Sequence, residues 1–242
     1  MKFQLEYKSY HDRAIIVEWP SKIDKYILRD IILFKAKIIS DNDSNRQELR
    51  SAYNSLLIIY KESVHFKAEK EALIAIYSRV STETSLNSRL WKIPVCYEEH
   101  FALDLQYISN AKELSIEAII KKHSEVVYTV YFIGFLPGFL YLGGLDEDLE
   151  IPRKSTPRLK IEKGAVAIGG NQTGVYPIES PGGWNVIGNS PIQFFNAKNN
   201  PPCFAKTGDQ IQFVPVKVNT YNKIKSQVEN NTYIIESEMI YD

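Results

Sequence analysis

Gly134-Phe135-Leu136-Pro137-Gly138-Phe139-Leu140-Tyr141-Leu142-Gly143-Gly144-Leu145 opens the segment from which the architecture of this chain is inferred. It runs on through Pro152-Arg153 and Pro157-Arg158 to Ala165-Val166-Ala167-Ile168-Gly169-Gly170-Asn171-Gln172-Thr173-Gly174-Val175-Tyr176-Pro177. It closes on Ser180-Pro181-Gly182-Gly183-Trp184-Asn185-Val186-Ile187-Gly188. The chain has 12 Gly and 11 Pro, and most of the glycines and six of the prolines fall between Ile133 and Pro191. Glycine admits backbone angles that other residues resist, and proline fixes φ and removes a donor. Short apolar runs broken this way read as short strands joined by irregular turns, where a ligand can approach the backbone closely. A merely turn-rich β domain would need only the Gly and Pro. The two Arg after Pro, with Gln172, Tyr176 and Trp184, point further, to a recognition site.

Arg153 and Arg158 each follow a proline, which restricts the local backbone and aims the side chain. A guanidinium fork suits a carboxylate or phosphate bidentately, so two close together suit a small acid or an acyl phosphate. Lys154 between them reads as solvent-facing. Gly169-Gly170 and Gly182-Gly183 can bring backbone N–H groups to an oxyanion. Gln172 offers donor and acceptor to an amide, and Tyr176 and Trp184 can form walls. Phe135, Phe139 and Tyr141 read as core and shaping residues. Glu179 and Asp146 are the nearest acids that could assist a proton transfer.

Upstream, Phe3–Tyr7 and Ala14–Glu18 read as strands, the second rich in β-branched residues. A helix capped by Ser21 is expected to run to about Lys37, with Ile23, Ile27, Leu28, Ile31 and Phe34 on one face. Leu49–Tyr53 and Leu56–Tyr60 read as strands, and Phe66–Val80 as a second amphipathic helix. The order strand, strand, helix, strand, strand, helix suggests an α+β domain over 1–88, with ferredoxin-like packing as the expected arrangement. Ser81–Ser88 is the expected linker. A mainly antiparallel β domain is expected over 89–217, entered by Ile93–Tyr97 and containing a helix, Ile116 to His123, capped by Ser115. His123, at that helix's C-terminus, reads either as a dipole partner or core histidine, or as a site residue. Strands are expected at Gln193–Asn196 and Gln210–Val216, with a hairpin turn at Lys206–Asp209. Residues 218–242 read as a C-terminal tail of unknown role, with helix at Tyr221–Val228.

Composition sets limits. At 242 residues the chain can bury one or two cores. Lys plus Arg and Asp plus Glu are each 29, so nothing marks a nucleic-acid binder. Cys96 and Cys203 lack metal spacing, the four histidines are scattered, and no metal is implied. The glutamate in Met1–Glu6 and the strand-sized apolar runs lead one to expect neither a signal peptide nor a membrane span, and a reduced cytoplasmic setting is expected. No P-loop, H-E-x-x-H or G-x-S-x-G string is present.

The strings GFLPGFLYLGGLD, PRKSTPR, AVAIGGNQTGVYP and SPGGWNVIG, in this order, resemble the signature of the 5-oxoprolinase B-subunit family, also called KipI-like or allophanate hydrolase subunit 1. The likeness extends to Tyr10–Val17 and Gly208–Phe213, and His123-Ser124 matches the family's His-Ser. It departs at His11, where the family has Gly, and over Glu98–Leu103, where the family has a Gly-rich turn before Asp104-Leu105. The resemblance implies a cyclophilin-like barrel for the second domain. It implies one component of an ATP-dependent 5-oxoprolinase, which opens 5-oxo-L-proline to L-glutamate with ATP as co-substrate. The partners it implies are the C-like and A-like subunits of that enzyme. His123, Arg153, Arg158 and Gln172 would be its catalytic residues. Gly169, Gly170, Tyr176, Gly182, Gly183 and Trp184 would bind substrate. Two alternatives stay open: a KipI-type inhibitor of histidine kinase autophosphorylation, and a component related to allophanate hydrolase or urea amidolyase.

Overall fold

A computed structural model describes residues 3–81 and 85–241. The chain divides into two compact units, Met1–Leu86 and Asn87–Asp242. Residues 82–84 of the expected linker, Ser81–Ser88, lie outside the described residues.

The first unit is a four-stranded sheet with two helices. Strands β1 (Glu6–His11), β2 (Ala14–Glu18), β3 (Arg46–Ser51) and β4 (Ser55–Tyr60) lie in the order β1-β2-β4-β3, all neighbours antiparallel. Ile15 and Val17 alternate inward with Ile58, Leu56 and Tyr60, the period expected of a half-buried sheet. Helix α1 (Lys25–Ser40) buries Ile27, Ile31, Phe34 and Ile38, and α2 (Phe66–Ser78) buries Leu73, Ile76 and Tyr77 against them. The cap of α1 is Asp24, whose carboxylate accepts from the Tyr26 N–H at 2.7 Å, and not Ser21. Ferredoxin-like packing interleaves its elements as β-α-β-β-α-β. Here each helix follows a completed hairpin, so the expected ferredoxin order is not what the strands form. The first and third strands also fall later and earlier, respectively, than their apolar residues suggested. β1 and β3 are edge strands, positioned by pairing to the apolar β2 and β4.

The second unit is built on an eight-stranded mixed sheet in the order β12-β9-β10-β7-β6-β13-β5-β14. Its strands are β5 (Ser88–Val95), β6 (Val127–Ile133), β7 (Leu140–Gly143), β9 (Ala165–Gly169), β10 (Gln172–Val175), β12 (Asn185–Asn189), β13 (Gln210–Pro215) and β14 (Ser237–Ile240). A separate antiparallel pair, β8 (Arg158–Ile161) and β11 (Ser180–Gly182), lies apart from that ladder. Helices α3 (Leu105–Lys112), α4 (Ile116–Glu125) and α5 (Val218–Glu229) complete it. Ser115 caps α4 as expected, accepting from the Ala118 N–H at 3.1 Å. The expected closed barrel is not drawn by a continuous ladder: the sheet has β12 and β14 as its ends. A single bridge, Cys96 to Asn189, with N–H···O distances of 2.8 and 2.9 Å, ties the β12 edge to the residue just beyond β5. The expected strand at Gln193–Asn196 is irregular chain, and Lys206–Asp209 is a turn that leads into β13 without a preceding strand. Residues 218–240 belong to this unit's structure: Ile224 of α5 is in the main core and β14 pairs with β5.

Two apolar layers flank the sheet. Val166, Ile168, Val175 and Ile187 point into the main core, while Ala165, Ala167, Tyr176, Trp184 and Val186 form a second cluster with Phe139 and Ile161. Side chains alternate faces along a strand, so this division decides which candidate site residues can meet.

Candidate functional site

On the face carrying the second cluster, β9 and β10 pair Gly169 with Gln172, and β6 and β7 pair Phe132 with Tyr141. Thr173 pairs with Leu142, so its neighbour Gln172 and Leu142's neighbour Tyr141 share the opposite face. The Trp184 indole lies flat against Gly169. A Cβ there would come within 2.6 Å of the ring, so only glycine leaves room. Gly182 is held as closely, since its Cβ would meet the Tyr176 hydroxyl at 2.3 Å. Phe139 stands edge-on to Tyr176 and Trp184, with centroids 5.4 and 5.5 Å apart, and Tyr141 stacks on Phe132 at 4.1 Å. The result is an aromatic wall of Phe132, Tyr141, Tyr176 and Trp184.

The Arg153 guanidinium sits over the Trp184 ring, 5.5 Å from its centroid, in cation–π range. Burial pushes the Tyr141 and Tyr176 phenols up. The Arg153 charge acts on both in the opposite direction, and on Tyr176 a backbone hydrogen bond from Trp184 does so too. Arg153 is exposed, so its fork is open to solvent and to an anion. Gln172 is half-buried on the same face, and its Oε1 is buried with no protein partner. A buried orphan acceptor costs about 1–3 kcal/mol. Arg153, Gln172, Tyr176, Gly169 and Trp184 are therefore brought together, much as the sequence suggests.

Arg158 is not a second open fork. Its two terminal nitrogens donate to the two oxygens of Asp104 at 2.7 and 2.8 Å. Lys154, expected to face solvent, also pairs with Asp104, at 2.7 Å. The same carboxylate accepts from the Val186 N–H at 2.7 Å and is 3% exposed. Burial alone would raise its pKa. The Arg158 fork, Lys154 and the Val186 N–H outweigh burial and hold it below the usual carboxylate range. The expected oxyanion nest is likewise reduced, because the Gly170 N–H is already donated to the Ile151 carbonyl at 2.7 Å. Gly183 lies against the Pro152–Arg158 loop, and its carbonyl accepts from the Lys154 N–H at 2.7 Å.

His123 is placed elsewhere, fully buried on the main-core side. Its Nε2 is 2.8 Å from Thr173 Oγ1 and its Nδ1 is 2.8 Å from Tyr97 Oη. Thr173 donates its hydroxyl proton to the Ala167 carbonyl, so it accepts from Nε2–H, and Nδ1 accepts from Tyr97. Burial lowers the imidazole pKa from 6.5 to about 3. Thr173 and Gln172 are consecutive, so His123 and Gln172 reach opposite faces of the sheet. Glu179 is paired with Lys160 and Asp146 with Lys122. Asp104 carried no sequence signal beyond its place before Leu105, because its partners are 50 or more residues away.

Among the described residues, no three His, Cys, Asp or Glu side chains are grouped as metal ligands, and no helix is long and apolar enough to cross a membrane.

The family described as carboxyltransferase domain, subdomain C and D, matches residues 5–205. TTHA0988, a solved structure, superposes with a TM-score of 0.73 at 27% identity. The match covers 85% of this chain and 40% of that one. Urea carboxylase from Kluyveromyces lactis superposes with a TM-score of 0.85 at 20% identity over 99% of this chain and 24% of its own, a likeness of fold. The fold is thus that of a carboxyltransferase C and D subdomain protein. A Bacillus subtilis (strain 168) protein, named as the B subunit of 5-oxoprolinase, is 32% identical over 238 residues, 94% of this chain and 98% of its own length. The chain belongs to the 5-oxoprolinase B-subunit family.

Proposed function

We propose that this chain is the B subunit of an ATP-dependent 5-oxoprolinase, working with C-like and A-like partner proteins in the cytoplasm. The observation that carries this reading is the identity of 32% with a named B-type relative, along nearly the whole of both chains. The overall reaction consumes 5-oxo-L-proline, ATP and two waters, and yields L-glutamate, ADP and phosphate. A lactam is a poor electrophile. Transfer of the γ-phosphoryl group to its carbonyl oxygen would make the carbonyl carbon electrophilic; one water then adds there and the ring C–N bond breaks, leaving a free amine and an acyl phosphate, from which a second water releases phosphate.

The chain's own contribution is recognition. Arg153 is the open cation for the substrate carboxylate or the transferred phosphoryl group. The half-buried Tyr141 ring, with the buried Trp184 indole standing at 81° to it and carrying Arg153, supplies an apolar corner for a five-membered ring. Gln172 supplies the amide-reading group, and its orphaned oxygen supports that role. Arg158 and His123 support the scaffold and do not touch substrate in this reading.

The test is 5-oxoproline-dependent release of ADP and glutamate by the chain alone and mixed with its C-like and A-like partners. Glutamate in step with ADP from the complete mixture, and from no mixture lacking this chain, is expected. No turnover from a correctly assembled mixture, together with inhibition of histidine kinase autophosphorylation by the chain, would replace this reading with the KipI-type one.

A further inference from the structure

The segment Pro152–Arg158 has no regular structure before Arg158, yet it is tied down at several points. The Asn185 side-chain amide donates to the Pro152 carbonyl at 3.0 Å, and the Lys154 N–H donates to the Gly183 carbonyl at 2.7 Å. The remaining ties converge on one carboxylate. Asp104 takes Lys154 and one arm of Arg158 on Oδ1, and the other arm of Arg158 and the Val186 N–H on Oδ2. Its acceptor capacity is filled, and its side chain is only 4% exposed, so it is closed to substrate.

The three groups it grips flank the site's two essential parts. Lys154 follows Arg153 directly and Arg158 ends the same loop, while Val186 lies two residues beyond Trp184. We propose that Asp104 is a positioning residue: by clamping Lys154, Arg158 and the Val186 backbone at once, it sets the Arg153 guanidinium over the Trp184 ring. Stability alone is a weak reason for this arrangement, since a buried ion pair can often be exchanged for apolar residues without loss. Placement of a lone open cation on a loop is a better one, because binding geometry must hold to a fraction of an ångström. Asp104 and the flanking cations are what let an irregular loop act as a rigid one.

The inference takes Arg153 as the substrate cation from the proposed function, but its test does not depend on turnover. The full chain, labelled with 5-fluorotryptophan, should give three resolved ¹⁹F resonances, for Trp19, Trp91 and Trp184, with Trp184 identified by Trp184→Phe. Arg153→Met should shift the Trp184 resonance. Asp104→Asn should shift it in the same direction by at least half as much, leave Trp19 and Trp91 in place, and add nothing further when combined with Arg153→Met. Asp104→Glu should restore part of the wild-type position.

An unmoved Trp184 resonance in folded Asp104→Asn would overturn the proposal. So would a shift that persists undiminished in the Arg153→Met background. If Asp104→Asn fails to fold, Lys154→Met and Arg158→Met each remove one arm of the clamp and must give the same shift, or the proposal falls. In the assembled enzyme, the KM for 5-oxoproline should rise roughly tenfold in Asp104→Asn with kcat changed much less. An equal fall in kcat with KM fixed would count against positioning. Absence of turnover in the wild-type assembly would refute the proposed reaction and leave the resonance result standing.

Discussion

Both ring nitrogens of His123 are occupied inside the core, and that arrangement carries a pH signature. Its folded pKa of about 3 lies below the ordinary 6.5 because burial disfavours the imidazolium. Between those values the unfolded chain holds a proton that the folded chain does not. Stability therefore rises with pH across this window, is fully present above about 6.5, and is lost on acidification at up to about 1.4 kcal/mol per pH unit. The melting temperature of the chain should fall as pH drops from 6.5 towards 4. His123→Gln, though less stable at neutral pH, should show a clearly flatter fall, and an equally steep one would mean that other groups govern it. At this scale the sequence was partly legible. Arg153, Trp184, Gln172 and the close-packed Gly169 could be picked out, because Gly, Pro and aromatic residues in one short window constrain one another. The fates of His123 and Arg158 could not. Each is decided by a partner distant in sequence, Thr173 and Tyr97 for one and Asp104 for the other.

Among the elements, α5 and β14 are where the sequence said least. With no glycine or proline to mark it, the segment after Lys217 reads as an appendage. Yet Tyr221 donates to the buried Asn189 side chain at 2.9 Å, Ile224 enters the main core, and β14 adds an edge strand to β5. Ile224→Ala should cost the second unit about 2–4 kcal/mol in denaturant unfolding, the range for truncating a buried aliphatic side chain. Lys223→Ala beside it, on the exposed side, should stay within about 0.5 kcal/mol. Equal and small effects would mean that α5 does not dock as described. Helices α1, α2, α4 and α5 were legible from their apolar spacing to within a few residues, whereas α3, which buries only Leu105 and Ile108, carried no such pattern. Strand order was not, because β13 pairs in parallel with β5 across more than a hundred residues, and local pattern carries no trace of such a crossover. The first unit makes the same point: its sequence of elements was readable, but the order β1-β2-β4-β3 follows from pairing alone.

For the whole molecule, family membership runs along the chain, with the family model matching residues 5–205, while the candidate site occupies one face of one sheet. The family was legible because four long strings stand in the right order. The site's division of labour was not, since three cations within six residues look alike until their partners are known. One of them, Arg153, is left open over an aromatic wall, while Lys154 and Arg158 are spent on Asp104. The most direct measurement is the steady-state rate of glutamate formation from 5-oxoproline and ATP by the assembled enzyme, comparing wild type with Arg153→Met. The expected result is a fall in kcat/KM of about 100-fold or more, as for loss of a charge-assisted contact of about 3 kcal/mol, with assembly intact. An Arg153→Met assembly with wild-type kcat/KM would contradict the role given to Arg153.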